Sequence, residues 1–101
     1  MTEAELREHY LRIERKSDRV AVWLCEVEWD GPHTPTERWG VVAEYPVEIP
    51  DADLETACAA WLRSTRYFAR CTECREYLAT GWMHDDELCQ SCAGARYGLV
   101  Y

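Results

Sequence analysis

Cys71-Thr-Glu-Cys74 and Cys89-Gln-Ser-Cys92 place four thiols in two CxxC pairs with fourteen residues between them. Two residues between cysteines let one tight turn aim both sulfurs at a single ion about 2.3 Å away, and two such turns close a tetrahedron. The ion this donor set fits is zinc, one per chain at Cys71, Cys74, Cys89 and Cys92, with iron as the competing occupant of four thiolates. With every position taken by sulfur there is no vacancy for water or substrate. The metal is therefore expected to hold structure, and the chain is not expected to be an enzyme.

Two other uses of these cysteines compete. Six cysteines in 101 residues is an even, fairly dense count that would suit a disulfide framework. Against it, the start Met1-Thr-Glu-Ala-Glu-Leu-Arg is charged, with no apolar run of signal-peptide type, so an oxidising compartment is not expected. A redox CxxC of thioredoxin type would need one pair at a helix start after a strand in a larger α/β pattern, and two pairs at ligand spacing do not resemble that.

Other chemistry is thin. His84 lies between the cysteine pairs and is expected to be exposed or to brace the hairpin. A substitute ligand, or with Asp85 and Asp86 an imitation of a nuclease centre, is the competing reading, against which four thiolates already satisfy zinc and fourteen residues leave little room for a catalytic insert. His9 and His33 have no nucleophile or ligand set nearby, and there is no Gly-rich phosphate loop.

The formal charge is −8, and four thiolates with one divalent ion take it to about −10. Residues 1–66 hold fourteen acidic against eight basic side chains, and residues 67–101 five against three. Non-specific nucleic-acid binding rests on neutralising phosphates, so a duplex is repelled unless one face gathers the arginines. No apolar stretch approaches the roughly 20 residues that cross a bilayer, and a soluble, cytoplasmic protein is expected.

The elements that must carry the cysteines follow from periodicity. Glu3 to Arg15 has Leu6, Tyr10 and Ile13 on one helical face, with Thr2 and Glu5 as a capping box and Arg12, Arg15 and Lys16 in the last turn. Val20 to Trp29 is a strand with Ala21, Trp23, Cys25, Val27 and Trp29 on one parity, apolar on both faces at its start. After the breaker-rich loop 30–36, Arg38 to Ile49 is a second strand, with Trp39, Val41, Ala43, Tyr45, Val47 and Ile49 sharing a parity. The two form an antiparallel hairpin, and Pro46 confines the second strand to an edge or ends its pairing.

Asp51 or Asp53 is expected to cap a second helix with Leu54, Ala57, Cys58, Trp61 and Leu62 on its apolar face. Cys25 and Cys58 fall on apolar faces and read as small buried hydrophobes. No Gly, Ser or Pro linker separates Tyr67-Phe68-Ala-Arg70 from Cys71, so residues 68–101 are expected to dock on residues 1–67 as one compact unit. Between the pairs, residues 76–83 can form a hairpin around Gly81; Asp85, Asp86 and Glu87 then precede a helix opening at Cys89.

Turn-borne first CxxC, short hairpin and second CxxC running into Ala93-Gly-Ala-Arg-Tyr97 together resemble a treble-clef or closely related zinc-ribbon finger, over residues 68–98 only. Such fingers often carry glycine after the second cysteine of a pair, where this chain has Arg75 and Ala93; Ala93 favours a helix and hence treble clef. The expected fold class is α+β: N-terminal helix, antiparallel hairpin, second helix, C-terminal finger. That fold group hosts many unrelated functions, so none is carried across.

A small zinc-binding adaptor or regulator that touches another protein through the finger and the adjoining aromatic edge is the leading expectation, with Trp29 and Trp39 as interface candidates and His84 beside them. A nucleic-acid-binding regulator is the second, using Arg63, Arg66, Arg70, Arg75 and Arg96 around the finger; the first three fall at i, i+3, i+7 if the helix continues. A third has the acidic N-terminal part imitating nucleic acid. Trp23, Trp29 and Trp39 are otherwise core residues of paired strands.

Overall fold

The computed structural model describes residues 2–31, 34–85 and 87–98, so the expectations placed on His33 and Asp86 lie outside the described residues. The class is α+β in the expected order. Helix α1 (Glu3–Tyr10) leads into strands β1 (Leu11–Arg15), β2 (Arg19–Trp29) and β3 (Pro35–Pro46), then helix α2 (Asp51–Leu62). Strands β4 (Phe68–Arg70) and β5 (Tyr77–Ala79), a 3-10 turn (Thr80–Trp82) and helix α3 (Gln90–Tyr97) complete the chain.

The α1 capping box forms as its sequence predicts. The Thr2 hydroxyl accepts from the Glu5 N–H at 3.2 Å, and the Glu5 carboxylate accepts from the Thr2 N–H at 3.2 Å. The helix stops at Tyr10 instead of Arg15, because Leu11 is extended (φ −126°, ψ 136°). Leu11 and Ile13 alternate with charged residues, a two-residue period hidden inside the helical one. Beside a β2 that is apolar on both faces, pairing Leu11 with Leu24 and Ile13 with Val22 satisfies two backbones at once. The hairpin thus becomes a three-stranded antiparallel sheet, β1-β2-β3. Arg12, Arg15 and Lys16 do not serve a helix C-terminus: the Arg12 guanidinium lies 4.1 Å over the Trp39 ring, Arg15 meets Asp51 at 3.5 Å, and Lys16 meets Glu14 at 3.4 Å.

Strand β3 does not keep one alternation along its length. Trp39 pairs with Cys25 and Val41 with Trp23, but Ala43 pairs with Val22 and Tyr45 with Val20, the register slipping between Val22 and Trp23. Val42 is the extra residue of a bulge, which moves Trp39 and Val41 to the face opposite Ala43 and Tyr45, so the predicted common parity breaks there. Pro46 closes the pairing, opposite Arg19, on an edge strand.

Pro50, not Asp51 or Asp53, caps α2, and no side chain bonds its first turn; both aspartates still sit where the helix dipole favours negative charge. The helix ends at Leu62 with Arg63 as C-cap, so Arg63, Arg66 and Arg70 do not line one helical face. Arg7 donates from both terminal guanidinium nitrogens to Glu55, Nη2 at 2.6 Å, and ties α1 to α2. Leu6, Val20, Val22, Leu24, Leu54 and Cys58 are essentially sealed from solvent, with Cys25 beside them. Burial pushes the Cys25 and Cys58 thiols up, as suits core cysteines.

β1 reaches only as far as Leu24 along β2, leaving Cys25 to Trp29 without a neighbour on that side. The Thr80–Trp82 turn packs there. The Trp29 indole N–H donates to the Gly81 carbonyl at 2.6 Å, its ring meets Trp82 edge-on at 5.5 Å, and the Trp82 N–H donates to the Tyr10 hydroxyl at 3.2 Å. Gly81 has no alternative. A Cβ there would overlap the Val27 carbonyl oxygen and lie 2.6 Å from Val27 Cβ. Among the described residues no helix is long and apolar enough to cross a membrane.

Candidate metal centre

Each cysteine pair is held by backbone before any metal is considered. Strands β4 and β5 pair with Phe68 opposite Ala79 and Arg70 opposite Tyr77, and the first pair forms the tip between them, where Cys71 N–H donates to the Glu76 carbonyl at 3.0 Å. The hairpin therefore brackets the first CxxC, and not Gly81 as residues 76–83 suggest by sequence. That glycine sits instead in the 3-10 turn, and the connection closes through a single bridge between Met83 and Cys89.

Arg75 follows Cys74 with φ 61°, in the left-handed region that favours glycine. Its carbonyl is held by Arg70 Nε at 3.1 Å. Replacing it removes a Cβ that the turn disfavours: Arg75→Gly should raise stability by about 0.5–1 kcal/mol, read as a higher urea midpoint with metal stoichiometry unchanged.

The second pair opens α3. Cys89 is its N-cap, the sulfur accepting from the Cys92 N–H at 3.5 Å, and Gly98 (φ 68°) ends the helix with its N–H on the Gly94 carbonyl. Gly94 does not interrupt it. Upstream, the Asp85 carboxylate accepts from the N–H groups of Glu87 and Leu88 at 2.8 and 2.7 Å, and these bonds lower its pKa. Thr72 N–H donates to the Glu87 carbonyl at 2.7 Å and lashes the two halves together.

These turns bring the four sulfurs within 4.8 Å of one another. Cys74 Sγ and Cys89 Sγ are 3.9 Å apart, close to the edge of about 3.8 Å that a tetrahedron with metal–sulfur bonds near 2.3 Å requires. All six cysteines are free thiols, and Cys25 and Cys58 are not part of the cluster. The four cysteines are thus positioned to bind one metal ion.

Their protonation differs. Burial opposes ionisation of Cys71, but the N–H groups of Cys89, Cys74 and Glu73 point at its sulfur and hold its pKa down at about 6. Cys92 is pushed up to about 12 by its hydrogen bond to Cys89, by burial and by the other two thiols, and Cys74 is also raised despite the Glu76 N–H. Four thiols this close cannot all ionise without a cation among them.

Compared with protein-family models, curated proteins and solved structures, the chain matches none.

The other candidate residues are dispersed. His84 is exposed, its ring 6.1 Å from that of Tyr97, and it is not in the sulfur cluster. Arg63 meets Glu3 at 3.5 Å, Arg66 lies over Tyr67, Arg70 over Tyr77, and Arg96 over Tyr97 and near Glu73. Trp29 is spent largely on docking the 3-10 turn, and Trp39 is half-buried under Arg12. Sequence reasoning missed Tyr10, Gly81 and Trp82 as the joint between the two parts. The only trace of that joint was a glycine flanked by threonine and tryptophan, which also fits any turn.

Proposed function

We propose that this is a structural zinc protein with a treble-clef finger, not an enzyme, and that it acts as an adaptor or regulator by contact with a protein partner. The observation that carries it is the quartet of sulfurs within 4.8 Å, an all-thiolate shell that leaves the ion no open position for water or substrate. Zinc is favoured by tetrahedral sulfur ligation, and treble clef by a knuckle between β4 and β5 followed by a helix whose first turn supplies the second pair. The net charge of −8 supports a basic partner surface. Pairing of arginines with acids and aromatic rings, and their dispersal after α2 ends, weigh against a phosphate-binding stripe.

Elemental analysis with an absorbance spectrum tests the metal: one zinc per chain is expected, and iron, or bonded sulfurs in fully ordered protein, would sink the zinc reading. Titration at low salt tests the partner class. No affinity for duplex or single-stranded nucleic acid is expected, and salt-sensitive affinity for either would replace the adaptor by a nucleic-acid regulator.

A further inference from the structure

A groove of about 700 Å³ opens beside the metal centre, far more than one ion occupies. Trp29, Leu78 and Trp82 line it from the docking joint, α3 contributes Gly94 and Ala95 with the neutral polar Gln90 and Ser91, and Glu76 and three of the four clustered cysteines complete it. Both indole N–H groups are already committed, Trp29 to the Gly81 carbonyl and Trp82 to the Tyr10 hydroxyl. What the rings offer a ligand is therefore carbon and π-electron surface, which suits an alkyl stem or a cation. Small side chains at Gly94 and Ala95 leave α3 low where it borders the groove.

Charge selects between those occupants. Four thiolates around a divalent ion carry two net negative charges, Glu76 adds a carboxylate, and no Lys, Arg or His lines the groove among the described residues. A phosphate or an acidic peptide is repelled there. Arginine and lysine alone combine an apolar stem with a cationic end.

We propose that this groove receives a basic segment of a protein partner, one arginine or lysine laying its stem across Trp29 and Trp82 with its charge toward the thiolates and Glu76. The inference rests on the zinc-dependent contact function above and names the chemistry of its partner.

The test uses the full-length zinc-loaded chain with three capped peptides of equal length in which leucine alternates with arginine, glutamine or glutamate. Nuclear magnetic resonance follows the indole N–H signals of Trp29 and Trp82. The arginine peptide should shift both signals and bind about tenfold or more tightly than the glutamine peptide, with the preference shrinking at high salt, and the glutamate peptide should not bind. Ala95→Arg, which puts a cation of the chain's own in the groove, should weaken the arginine peptide by about tenfold with zinc content and melting temperature unchanged; Glu76→Gln should weaken it less. Equal affinity for the arginine and glutamine peptides, shifts that avoid both indoles, or indifference to Ala95→Arg would each overturn the groove. One zinc per chain with silent indoles overturns the groove alone, whereas a chain that takes up no zinc overturns the contact function and the groove together.

Discussion

Stripping the metal with excess chelator should lower stability by about 4 kcal/mol or more, with residues 68–98 opening first in hydrogen exchange. The finger has almost no core of its own. Phe68 and Ala79 are buried in the main core; the finger's own cluster is Cys71, Leu88, Cys89 and Ala93, two of which belong to the sulfur quartet, with Leu78, Met83 and Cys92 packed around them. Even with Phe68, Ala79 and Trp82 anchored on the main core, this is too little apolar burial to offset the entropy of ordering some thirty residues, so the ion is expected to supply the difference. Cys71→Ser and Cys92→Ser should each lose most of that stabilisation. Cys25→Ser, which puts a hydroxyl into the main core within reach of the Glu26 carbonyl, should cost only about 1–2 kcal/mol. Urea titrations of the three variants with and without chelator provide the comparison, and equal losses would show that ligand and core cysteines had been divided wrongly.

Acid should mimic the chelator. At neutral pH the metal-free site keeps protons on Cys92, pushed up to about 12, and on Cys74, also raised, so binding displaces at least these two. Apparent affinity should therefore fall by about a hundredfold or more per pH unit as the solution is acidified toward pH 6. The Cys71 pKa, depressed to about 6, acts in the same direction: its thiolate stabilises the fold above the ordinary thiol range and is lost as pH falls through about 6, steepening the decline. Metal occupancy against pH at fixed free zinc reads this directly, and a flat profile would contradict the proton inventory.

Gly81→Ala should be severely destabilising for the addition of a single methyl group. The added carbon overlaps the Val27 carbonyl oxygen, a backbone atom held within the central strand β2. Relief requires the Thr80–Trp82 turn to withdraw, and with it the Trp29–Gly81 and Trp82–Tyr10 hydrogen bonds. The loss belongs at the top of the range for overpacking, about 3 kcal/mol, which in a domain of this size lowers the melting temperature by roughly 12–24 °C. Near-ultraviolet circular dichroism should lose the signal of the Trp29–Trp82 pair while zinc stays bound, since the cysteine turns are closed by β4, β5 and α3. Unchanged stability would mean that the finger does not rest on β2.

The amino-acid sequence by itself determined the elements whose signals are local. Two CxxC turns specify the ligands through the reach of a tight turn. Thr2 and Glu5 specify a helix start through reciprocal hydrogen bonds, and the apolar runs of β2 and α2 specify which residues are buried, Cys25 and Cys58 among them. Tertiary structure alone decided what depends on a neighbour. Leu11 to Arg15 fits a helix or a strand equally well until β2 offers it a pairing edge. The Val42 bulge that separates Trp39 from Tyr45 is a register choice between two strands, and the end of α2 at Leu62 removes an arginine stripe that spacing alone allowed. Gly81 shows the same limit in one residue: its lack of a side chain is visible in the sequence, but the β2 backbone that makes this lack obligatory arrives from more than fifty residues away, and pairwise proximity over that range is not written in any local period.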